Sequence, residues 1–117
     1  MEALSFAKEK ITDESLTGLL DALHDRWFDM ARVRFDTKAE VVTIHFAASK
    51  RGPFDRELLV THVSSLDVKD DAGIGLYDVD AIQVDEVNSQ IVITSGFPLR
   101  LAMHVRDEWR LTCHDIS

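Results

Sequence analysis

Cysteine is nearly absent. Cys113 is the only one among 117 residues, which excludes an intramolecular disulfide framework and predicts a reducing, cytoplasmic setting. Long apolar runs are missing too. No stretch of about 18 apolar residues occurs, and Met1-Glu2-Ala3 opens into mixed polarity rather than a charged and then apolar leader, so neither a membrane span nor an export signal is expected. Basic charge is in deficit: 13 Lys+Arg face 21 Asp+Glu, a formal net charge of −8, which repels phosphate backbones and argues against nucleic-acid binding. Metal-ligand spacing is lacking as well. The histidines and Cys113 make no C-x-x-C, H-x-H or H-x-x-x-H step, so no metal site or cofactor is expected.

What is present reads as one globular domain over residues 1–117, with 45% hydrophobic and 29% charged residues and no linker or low-complexity tract. Leu16, Leu19, Leu20 and Leu23 recur at helical spacing. Thr12 or Ser15 can cap the start, and Asp13 and Glu14 suit the positive end of the helix dipole. Gly18 costs this helix about 1 kcal/mol relative to Ala, so packing must hold it, and it should end near His24. Residues 4–11 fit either a helix or a short strand.

From Trp27 onward the apolar period becomes two. Strands are expected over 27–36, 41–48, 57–68, about 76–84, 91–95, 98–105 and 109–114, joined by short turns. The fold class predicted is therefore α+β: one N-terminal helix packed on an antiparallel sheet of about seven short strands, or a strongly curved half-barrel. Val33-Arg34-Phe35-Asp36, four residues, then Val41-Val42-Thr43-Ile44 echoes Ile82-Gln83-Val84-Asp85, five residues, then Ile91-Val92-Ile93-Thr94. Shared hairpin chemistry, with Asp bonding its own turn, suffices to explain the echo, and internal duplication is the alternative.

The acidic charge is concentrated. Residues 67–86 hold only Lys69 against Asp67, Asp70, Asp71, Asp78, Asp80, Asp85 and Glu86. The leading expectation is a partner-binding surface built on Asp67, Asp70, Asp71, Asp78 and Asp80, with a solvated loop as the plainer reading.

A second expectation comes from the last two strands. Aligning the apolar faces Leu99, Leu101, Met103, Val105 and Trp109, Leu111, Cys113 as a hairpin puts Val105 opposite Trp109. The reverse face then gathers Arg100, His104, Arg110 and His114, a candidate anion or small-ligand site that would strengthen as the histidines protonate. A third reading is self-association through an exposed sheet edge.

Other motifs carry less. His24-Asp25 and His114-Asp115 are dipeptides without the further ligands a metal centre needs. Asp78-Val79-Asp80 lacks the third oxygen ligand, central Gly and closing Glu of a calcium loop. Gly73-Ile74-Gly75 lacks the strand-before, helix-after context of a dinucleotide fingerprint. No nucleophile elbow or carboxylate pair is placed by spacing, so catalysis is unsupported.

The Leu23-His24-Asp25 step and the hairpin after it, roughly residues 20–48, resemble a segment of small β-rich bacterial proteins that are uncharacterised or grouped with immunity proteins of contact-dependent toxin systems. The resemblance implies a cytoplasmic α+β domain that binds and blocks a toxin, frequently a basic one. It names no binding residue.

Overall fold

The computed structural model describes residues 4–7, 18, 19, 21 and 23–116. Eleven strands dominate them: β1 (Leu4–Ala7), β2 (Trp27–Asp29), β3 (Arg34–Asp36), β4 (Val41–Ala47), β5 (Arg56–Val60), β6 (Val63–Asp70), β7 (Leu76–Asp78), β8 (Ala81–Asp85), β9 (Gln90–Thr94), β10 (Leu99–Val105) and β11 (Arg110–Asp115). They form two antiparallel sheets. The first runs β1-β11-β5-β4-β2-β7, with β3 also on β4, and the second runs β6-β10-β9-β8.

The α+β expectation is overturned. Among the described residues the fold is nearly all β, and its only complete helical element is a 3-10 turn at Met30–Arg32. Of the expected helical stripe, Leu16 and Leu20 lie outside the described residues, as do Thr12 and Ser15, while Leu19 and Leu23 are fully buried. No described helix is long and apolar enough to cross a membrane.

Several long expected strands are broken where the chain bends. The 27–36 stretch is split by the 3-10 turn, which Asp29 caps by accepting the Ala31 amide at 2.9 Å. The 57–68 stretch breaks at Thr61-His62, where His62 takes a left-handed φ of 59°. The 76–84 stretch breaks at Val79-Asp80.

The expected β10–β11 hairpin does not form. β10 lies between β6 and β9, and β11 lies between β1 and β5. The intervening segment crosses from one sheet to the other: Arg106 N–H donates to His62 carbonyl at 2.8 Å, and Thr61 N–H donates to Arg110 carbonyl at 2.9 Å. The two crossings, at 61–62 and 106–109, thus bond each other. Alternation identifies the face that β4, β10 and β11 bury, but that face is equally satisfied against any apolar neighbour.

The sequence echo has a structural counterpart larger than a hairpin. In β3–β4, Asp36 opposes Val41 and Glu40 closes the turn at φ 57°; in β8–β9, Asp85 opposes Gln90 and Ser89 closes it at φ 51°. Asp36 accepts the Lys38 and Ala39 amides, and Asp85 accepts the Asn88 amide. The register makes Val42 the equivalent of Ile91, so both turns hold four residues between paired positions.

The third and fourth strands repeat as well. β5 lies beside β4 and β10 beside β9, and each chain segment then crosses over, so that β6 joins β10 and β11 joins β5. The rows Val42–Val60–Leu111 and Ile44–Leu58–Cys113 match Ile91–Met103–Leu66 and Ile93–Leu101–Val68. Turn chemistry explains a shared hairpin. It does not explain a shared crossover with exchanged last strands.

The inner faces of both sheets feed one apolar cluster. Val42, Ile44, Phe46, Val60, Ile91, Ile93, Leu101, Met103 and Leu111 are buried there as their alternation predicts, whereas Val33, Phe35 and Val84 are half-buried. Phe28, Leu58, Tyr77 and Val79 join them from positions the alternation did not single out.

Candidate functional site

The turn Ser95-Gly96-Phe97-Pro98 between β9 and β10 organises one end of the second sheet. Asp78 reaches it from β7: its Oδ1 accepts the Ser95 hydroxyl at 2.5 Å and the Gly96 amide at 3.1 Å. A Cβ on Gly96 would stand 3.1 Å from the Asp78 carboxylate, so the close approach favours glycine there. Asp71 N–H donates to Pro98 carbonyl at 3.0 Å, and Asp80 N–H donates to Thr94 carbonyl at 2.9 Å.

Asp70, at the end of β6, accepts the Gly73 amide at 2.8 Å and the Tyr77 hydroxyl. Tyr77 is fully buried, takes the Ile74 amide on its oxygen at 3.2 Å, and sets its ring edge-on to Phe97 with centroids 6.4 Å apart. Burial, then the hydrogen bond to Asp70, raises the phenol above its ordinary pKa.

The outcome is a surface of defined chemistry. Asp70, Asp71, Asp78 and Asp80 meet around the turn, and Asp71 and Asp80 are exposed. Two apolar side chains near them are open to solvent, Ile74 at 53% and Phe97 at 40% exposure; the Ile74 amide donates to the Tyr77 hydroxyl, and the Phe97 ring meets the Tyr77 ring edge-on. Asp67 lies apart, exposed in mid-β6 opposite Ala102. Sequence reasoning found the acids and missed Ile74, Tyr77 and Phe97; an apolar residue between two glycines at Gly73-Ile74-Gly75 was the available signal.

The basic face has a different fate. Arg100 and His104 project from β10 in the second sheet, where Arg100 Nη2 donates to Gln90 Oε1 at 3.3 Å and the Gln90 amide lies 3.2 Å from His104 Nε2. Arg110 and His114 belong to β11 in the first sheet. Arg110 is exposed, and its amide donates to the Thr61 hydroxyl at 3.0 Å.

His114 completes a cross-strand row with Glu57 and His45. Its Nε2 is 3.3 Å from Glu57 Oε1, and His45 Nε2 is 3.0 Å from Glu57 Oε2. A carboxylate set between two imidazoles compensates them locally. The four residues expected to share one sheet face are thus divided between two sheets.

Arg56 is buried and its Nε donates to Asp115 at 3.2 Å, while His24 and Asp25 are exposed and lie 3.3 Å apart. Burial pushes the Cys113 thiol above its ordinary pKa, which disfavours the thiolate. Among the described residues, no group of three His, Cys, Asp or Glu side chains is arranged to hold a metal ion. Comparison with family models, with curated proteins and with solved structures gives no match.

Proposed function

We propose that this protein is a non-catalytic, cytoplasmic interaction domain that binds a basic protein partner through the acidic end of its second sheet. An inhibitor of the immunity type, as the Leu23-His24-Asp25 resemblance implies, fits that role. The observation that carries the reading is the grouping of Asp70, Asp71, Asp78 and Asp80 around exposed Ile74 and Phe97. Exposed carboxylates steer a cationic partner and set association rate and salt dependence. Exposed Ile74 and Phe97 near them supply the desolvated contact that charge alone does not.

The alternative, an anion site on Arg100, His104, Arg110 and His114, loses support because the four are divided between two sheets.

The test compares the wild-type protein with an Asp67→Asn, Asp71→Asn, Asp80→Asn triple variant as baits in native lysate at low and high salt. Asp70 and Asp78 are left intact because they hold the Tyr77 and Ser95 hydroxyls. A basic protein retained by the wild type at low salt and lost by the variant is the expected result. Equal retention by both baits overturns the proposal.

A further inference from the structure

We infer that β6 is a docking edge at which the basic partner adds an extended segment as a further antiparallel strand. The inference rests on the reading above that the partner is basic, and it names how that partner is held. Among the described residues β6 pairs with β10 alone, and beyond Val63, whose N–H donates to the Glu40 carbonyl at 2.8 Å, its other edge is open.

The molecule itself shows what fills such an edge. β11 is the equivalent of β6 in the repeated topology, and it carries a strand on both sides: β5 on one and β1 on the other. β1 runs antiparallel, with Leu4, Ser5, Phe6 and Ala7 opposite Cys113, Thr112, Leu111 and Arg110. The corresponding positions on β6 are Val68, Asp67, Leu66 and Ser65.

Burial at these positions differs as an unfilled edge requires. Cys113 is 2% exposed and Leu111 is 0%, whereas Val68 is 38% exposed and Leu66 only half-buried. The same inward-facing row is closed on β11 and open on β6. An added strand offers main-chain hydrogen bonds for affinity and alternate side chains for specificity.

Charge and direction define the occupant. By the β1 template, the incoming segment starts opposite Val68 and runs toward Ser65, so the residue just before it meets exposed Lys69 and the two before that pass beside Asp70 and Asp71. Its pattern is therefore Lys or Arg at the two positions beside Asp70 and Asp71, an uncharged polar residue opposite Lys69, then an apolar residue at every second position, facing Val68 and Leu66. Asp67, on the opposite face, favours a basic or hydroxyl-bearing neighbour.

The probe is a peptide of two lysines and a threonine followed by leucine, threonine, leucine and threonine, titrated onto the full chain. Its partner probe carries the same side chains with alternate backbone amides of the apolar half N-methylated. Strand addition predicts that N-methylation weakens binding at least tenfold, and that peptide slows hydrogen exchange along Val63–Asp70. It also predicts at least tenfold weaker binding by Val68→Asp, although that substitution adds a negative charge.

If N-methylated and plain peptides bind alike and Val68→Asp binds as tightly or more tightly, the edge inference fails while the acidic-surface reading stands. If neither peptide binds the wild-type protein, both fail. A dimer that protects β6 without peptide assigns the edge to a second copy and overturns the basic occupant.

Discussion

Truncating Phe28 to alanine tests the packing account most severely. Phe28 sits at the middle of β2, fully buried, with its backbone between Phe46 on β4 and Tyr77 on β7. Its ring meets Phe46 edge-on at 5.6 Å and lies 6.1 Å from Tyr77. Phe-to-Ala changes in cores cost about 3–5 kcal/mol, cavity included, and two aromatic neighbours place this site near the upper end. A domain of this size holds only about 5–15 kcal/mol in total, so the variant gives up a large share of its stability. With a urea slope of about 1.5 kcal/mol per molar, a loss of about 4 kcal/mol lowers the midpoint by roughly 2.7 M. Phe97→Ala is the control. That ring is 40% exposed and touches Tyr77 at its edge, so its loss should cost about 1 kcal/mol and move the midpoint by under about 1 M. Urea titration followed by tryptophan fluorescence and far-ultraviolet circular dichroism reads both. The reasoning is refuted if Phe28→Ala falls within about 1 M of the wild type at unchanged slope, or matches Phe97→Ala.

Arg106 Nε lies 3.0 Å from each Glu40 oxygen, and this contact holds the Glu40 carboxyl below its ordinary pKa. The stability it contributes is complete above the unfolded-state value and is lost as pH falls through the lower folded value; Arg106→Gln should raise the Glu40 titration midpoint seen by NMR, and no upward movement rejects the pairing. Asn88 donates to both Asp85 oxygens and depresses that carboxyl in the same sense, so Asn88→Ala should raise the Asp85 midpoint. Cys113 lies in β11 between β1 and β5 with its thiol buried and its pKa raised. A disulfide reagent should modify it only as fast as the protein opens, and modification at the free-thiol rate in native buffer contradicts that placement.

The candidate site was legible in part, and the division follows from what kind of information each feature carries. The concentration of Asp70, Asp71, Asp78 and Asp80 is a property of sequence position, because one short segment cannot spread its charge far. Ile74 and Phe97 are both tied to Tyr77, whose hydroxyl accepts the amide of the one and whose ring meets the ring of the other, a link that sequence spacing does not reveal. Arg100, His104, Arg110 and His114 looked like one face because their strands are adjacent in sequence, and that adjacency did not survive folding.

Local chemistry along the chain was enough to set the strand periodicity, the two Asp-closed hairpins and the inward row Val42, Ile44, Phe46, because side-chain alternation and turn bonding act over a few residues. Partner choice belonged to the tertiary structure. An inward-facing apolar row is satisfied by any apolar row placed against it, so sequence pattern leaves open whether β11 meets β10 or β5. The left-handed bend at His62 and the bonded crossings at 61–62 and 106–109 decide it, sending each half's last strand into the other's sheet. The same exchange leaves β11 flanked on both sides and β6, among the described residues, with one open edge, a difference that alternation alone cannot encode.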